Sequence, residues 1–172
     1  KCEEYYINLN DEIKRNTDEA RTLIAENTDL ESSLRNLQRK KADQEAVRGP
    51  LSDYNRHFEV YSQKTEELSE EEKKLFKNRK HIDKLRAEAE EERNSINKAA
   101  DAIRHQICRY DVLMPPEKCA EAAEKLLMEA DPSNQIASIK DSIDKNEKRI
   151  DVLNDSRINL QKELEKVTNA LE

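Results

Sequence analysis

Apolar residues recur at alternating spacings of three and four along almost the whole chain. That spacing lines one stripe of an α-helix and no single face of a strand. The first ladder runs Tyr6, Leu9, Ile13, Asn16, Ala20, Leu23, Asn27, Leu30, Leu34, Leu37, Lys41, Gln44. The second runs Leu51, Tyr54, Phe58, Tyr61, Thr65, Leu68, Glu72, Leu75, Arg79, Ile82, Arg86, Ala89, Arg93, Ile96, Ala100, Ile103, Ile107, Tyr110, Met114. The third runs Ile136, Ile139, Ile143, Asn146, Ile150, Leu153, Arg157, Leu160, Leu164, Val167, Leu171. Of 42 ladder positions, 31 are apolar; a hydrophobic content of 35% would supply about 15. A seven-residue repeat of this kind predicts helices that supercoil left-handedly.

Composition agrees. One glycine in 172 residues leaves little for tight turns, which excludes sandwiches, barrels and doubly wound sheets. Charged residues make up 40%, yet 31 bases nearly cancel 38 acids. Mixed charge suits solvated helix surfaces better than it suits disorder. No window is apolar for long enough to span a membrane. The fold class expected is all-α, an elongated antiparallel coiled coil in which a long central helix is flanked by two shorter helices, locally a three-helix bundle.

Breaks in the pattern set the expected organisation. Gly49-Pro50, Pro115-Pro116 and Asp131-Pro132 remove backbone donors and push the preceding residue out of helical space. They predict a first coiled-coil helix over 1–48, a long central helix over 51–113, a short connector or cap over 115–132 and a last helix over 134–172. A Gly-Pro turn would fold the central helix back on the first, setting Leu37 against Phe58 and Asn16 against Arg79. The last helix would then cover the end of the central one, with Ile143 against Ile103 and Ile136 against Tyr110. Three helices would meet near residues 75–90, where the ladder turns polar at Glu72, Arg79, Arg86 and Arg93. Helical pattern at both ends reads as a piece of something longer.

No chemistry-bearing motif stands out. His57, His81 and His105 fall on three sides of one helix, and His105, Cys108 and Cys119 make an incomplete zinc set. An odd count of three cysteines without a Cys-x-x-Cys pair reads as free thiols in an intracellular, reducing compartment, cytoplasmic or nuclear. No phosphate-cradling glycine loop is present, and no catalytic residue, metal ligand or cofactor is expected. Lys73, Lys74, Lys77, Arg79, Lys80, Lys84 and Arg86 form a basic strip that could meet phosphates, but acidic blocks flank it. Asn27 and Asn146, at ladder positions, are expected to fix register.

Candidate interaction residues are the aromatics Tyr54, Phe58 and Tyr61, the ladder arginines Arg79, Arg86 and Arg93, and Leu126 and Leu127 on the short helix. The leading reading is a non-enzymatic rod that spaces, scaffolds or tethers other proteins, a homodimer being one arrangement, with no small-molecule substrate. The long antiparallel arms resemble those of chromosome-organising ATPases of the SMC type, and equally centrosomal, kinetochore and tethering rods. That resemblance implies an alternative, an arm whose catalytic heads lie outside these residues. A second alternative is a nucleic-acid-binding rod using the 73–86 strip.

Overall fold

The structure, a computed structural model, describes residues 1–107 and 113–171. It is all-helical, and no strand occurs among the described residues. Helix α1 spans Cys2–Lys73, α2 spans Arg79–Ile107, α3 spans Pro116–Met128 and α4 spans Ser133–Leu171. Cys108 and Tyr110 lie outside the described residues. The chain divides into two compact units, the first formed by Lys1–Gln38 with Pro132–Glu172 and the second by Arg39–Asp131. Helix α1 contributes to both.

The first unit is an antiparallel helix pair. Along it, Tyr5 meets Glu163, Asn16 meets Ser156, Glu19 meets Arg149, and Asn27 meets Asn146. Partner numbers fall as α1 numbers rise, which is the mark of opposed helices. The first and third ladders are the faces that pack. Leu9, Ala20 and Asn27 on α1, and Ile136 and Leu153 on α4, are buried. The other ladder residues of this unit are half-buried except Tyr6 and Leu171. A pair of helices covers its seam incompletely, so partial burial is what two strands alone can give.

The second unit packs the later part of α1 against α2, with α3 as a third helix. Its core joins Val47, Leu51 and Tyr54 of α1 to Ile96, Ala99, Ala100 and Ile103 of α2 and Cys119, Ala120 and Ala123 of α3. Alanines in this layer let the helices approach closely. Pro115 and Pro116 open α3, where a missing amide costs nothing because first-turn amides lack intrahelical partners. The short helix therefore contributes to a core, on the face that carries Cys119 and Ala123.

Four sequence expectations are corrected. Gly49-Pro50 makes no turn: α1 runs through it, and no residue there has a positive φ. Pro50 deprives the Ala46 carbonyl of its donor, a loss of about 3 kcal/mol in a helix interior. Burying Val47, Leu51 and Tyr54 around it returns about 1.5–3 kcal/mol for each side chain, so packing wins. The expected central helix instead breaks at 74–78, between α1 and α2. The last helix pairs with the start of α1, which replaces both expected registers. Where three helices were expected near 75–90, the third helix packs instead against the opposite end of the α1–α2 hairpin, around Val47 and Ile103.

The arginines follow from that break. Arg79, Arg86 and Arg93 are all exposed. On α2 the seam passes through Ile82, Leu85, Ala89, Glu92, Ile96, Ala99 and Ile103. Leu85, off the expected ladder, is only 2% exposed. The spacing of three and four survives, but every second rung moves by one residue. None of these three arginines is forced into an apolar seam.

Candidate functional site

The α1–α2 hairpin changes character along its length. Near α3 it is held by the apolar core. Towards the 74–78 turn, the α1 rungs are His57, Tyr61, Lys64, Leu68 and Glu71, and charged side chains take over. His57 Nδ1 lies 2.5 Å from Glu92 Oε2. Lys64 Nζ lies 2.8 Å from Glu88 Oε2, and Arg86 Nη2 lies 2.7 Å from Glu72 Oε1. The Lys64 hydrogen bond holds the Glu88 carboxyl below the usual carboxylate range, and the same bond raises Lys64. These pairs are half-exposed, so each is a modest lock rather than a strong one. Beside His57, Pro50, Asp53, Ser95 and Lys98 line an open hollow of about 280 Å³.

The hairpin ends in a turn built without glycine or proline. Lys74 N–H donates to the Glu71 carbonyl, closing α1. Asn78 Oδ1 accepts from the His81 amide at 3.2 Å, capping α2. Between these caps Leu75 and Phe76 project outward, 90% and 89% exposed. Lys73, Lys77, Arg79 and Lys80 surround them, all exposed and, among the described residues, without an ion pair. Lys74 pairs with Glu71 at 2.6 Å.

The end of α3 is secured from α1. Gln44, buried at a ladder position, donates from Nε2 to the carbonyls of Leu126 and Glu129 at 3.1 and 3.3 Å. Terminal carbonyls of a helix lack intrahelical partners, which is why a polar residue suits this rung. Lys40 adds an ion pair to Glu129 at 2.8 Å. Across the core, Arg104 Nη2 donates to the Met114 carbonyl at 2.5 Å, tying α2 to the segment before α3.

The sequence candidates separate. Tyr54 is core, and Phe58 stacks on it with centroids 5.9 Å apart while remaining 49% exposed. Burial, then Glu117, Cys119 and Glu121 of α3, push the Tyr54 hydroxyl above its ordinary pKa. Tyr61, Leu126 and Leu127 pack against the same core. Arg79 lies beside the turn, Arg86 is engaged with Glu72, and Arg93 faces solvent further along α2. Phe58, with its neighbours, therefore lies on the flank of the bundle and not at a tip. Of the exposed pair that does stand at a tip, Leu75 is a rung of the expected ladder, and Phe76 lies off it with no role expected from the sequence. The pair's signal was the polar ladder from Glu72 to Arg93, with Leu85 off phase: every second rung of a continuous helix would be charged there.

Among the described residues, no group of three or more His, Cys, Asp or Glu side chains is placed to hold a metal ion, and no helix is long and apolar enough to cross a membrane. Comparison with protein-family models, curated proteins and solved structures finds no match.

Proposed function

We propose that this chain is a non-enzymatic scaffold or spacer that holds partner proteins on paired helices. The observation that carries the reading is the first unit, where two helices are locked in register yet leave their apolar stripe half-covered. Ile24, Val152 and Ile158 lie outside the seam and are about half exposed. The polar pairs fix how α1 and α4 align, while the uncovered apolar surface is available to a further helix, from another protein or from a second copy. Light scattering on the purified chain, with Ile24→Ser and Ile158→Ser variants, tests this. A wild-type mass above that of one chain, reduced by the substitutions without loss of helicity, is the expected result. A monomer that captures no partner helix, with variants indistinguishable from it, overturns the reading.

One observation favours the second reading, an arm of a chromosome-organising ATPase. The segments 1–38 and 132–172 pair antiparallel, as the two halves of such an arm do. This reading requires a phosphate-binding loop elsewhere in the same polypeptide. A polypeptide without one removes it.

A further inference from the structure

The eight residues from Lys73 to Lys80 hold five cations and no acid, with Leu75 and Phe76 at their centre. The two apolar side chains are adjacent, almost wholly exposed, and set in the turn that joins α1 to α2. Scattered single apolar residues on a surface are ordinary, but an adjacent exposed pair flanked on both sides by cations is not. Of the nearest acids, Glu71 is engaged by Lys74 and Glu72 by Arg86, which leaves Lys73, Lys77, Arg79 and Lys80 without an ion pair among the described residues.

We propose that this turn docks on an anionic lipid surface, with Leu75 and Phe76 entering the acyl boundary and Lys73, Lys77, Arg79 and Lys80 meeting the headgroups. A leaflet supplies both halves of the match, apolar depth beneath negative charge. The methylene stems of the lysines reach along the apolar boundary while their ammonium groups stay at headgroup level. A second copy of the chain is disfavoured, because two such turns repel each other. A nucleic-acid backbone satisfies the cations but gives Leu75 nothing to bury against. The proposal is independent of the scaffold reading.

Flotation of the full chain with vesicles tests it. Binding is expected to vesicles of phosphatidylcholine mixed with phosphatidylserine, not to phosphatidylcholine alone, and to weaken as salt rises. Each basic residue at such a surface is worth roughly fivefold in binding, so Lys77→Glu with Lys80→Glu should weaken it by more than about tenfold. Leu75→Ser with Phe76→Ser should weaken it by about tenfold or more. All four positions are exposed, so melting should be unchanged, which separates loss of docking from loss of fold. The chain has no tryptophan, and Phe76→Trp should show a blue-shifted emission on adding the anionic vesicles. Absence of binding, an unshifted Trp emission, or a serine variant that binds as the wild type does would overturn the proposal. So would an oligonucleotide that displaces the chain from vesicles and is held equally well by the serine variant.

Discussion

Asn146 donates a hydrogen bond from Nδ2 to Asn27 Oδ1 at 2.8 Å across the seam of the first unit. Asn27 in turn donates to the Ile143 carbonyl at 3.4 Å. Asn27 is buried, so replacing only its partner strands a polar group. Asn146→Leu should cost about 1–3 kcal/mol in denaturant unfolding. Joining Asn27→Leu to it should restore stability while loosening register, visible as additional cross-links between cysteines placed on α1 and α4. A double variant no more stable than the single one would show that the pair is not coupled.

Gly49 sits inside a helix with open space where a Cβ would go. Gly49→Ala should stabilise the chain by about 0.5–1 kcal/mol. Pro50→Ala should add more, because it returns a donor to the Ala46 carbonyl. A lowered melting temperature for either variant would mean that the chain turns at this point.

Gln44 holds the last carbonyls of α3. Gln44→Leu should cost about 1–3 kcal/mol by leaving them without a donor. Hydrogen exchange should quicken in α3 before it does in α2, and uniform exchange would place the support for α3 elsewhere.

Tyr54 makes stability depend on alkaline pH. Its folded pKa lies above the ordinary value of about 10, so the folded state keeps a proton that the unfolded chain has lost. Stability should therefore be full below pH ~10 and fall as pH rises towards the folded pKa. Tyr54→Phe removes this group, and its unfolding free energy should decline less over that interval. Parallel declines for both proteins would exclude Tyr54 as the cause.

Arg79, Arg86 and Arg93 stand on the solvent side of α2. Changing all three to leucine should lower solubility through a new apolar stripe, with no gain in melting temperature. A marked gain would return them to a seam.

How far the sequence could be read depended on what each signal measures. The ladders identified the packing faces of α1 and α4 almost residue by residue, because burial follows period. Asn27 and Asn146 were recognisable as register-setting residues, though not as each other's partner. Antiparallel pairing was assigned from the turn taken to exist at Gly49-Pro50, and that turn was the error. Val47 sits three residues after Gln44 and four before Leu51, a one-residue shift of the ladder that still carries a buried stripe through Gly49-Pro50. Proline is a local penalty, whereas the buried stripe extends over many turns, and the sum prevailed. The break at 74–78 carries no glycine or proline; only the polar ladder and Asn78 as a cap announced it.

The pairing of Asn27 with Asn146 joins residues 119 apart in the chain. Most of that interval is the second unit, whose own ends are brought together by Lys40–Glu129 and by Gln44 on the Leu126 and Glu129 carbonyls. A chain that folds this interval first shortens the loop that the first unit has left to close, an entropic gain of roughly 1 kcal/mol. The inserted unit thus shortens the loop between the chain's two arms. Gln44, which belongs to the second unit, becomes a control point for how fast the first unit zips.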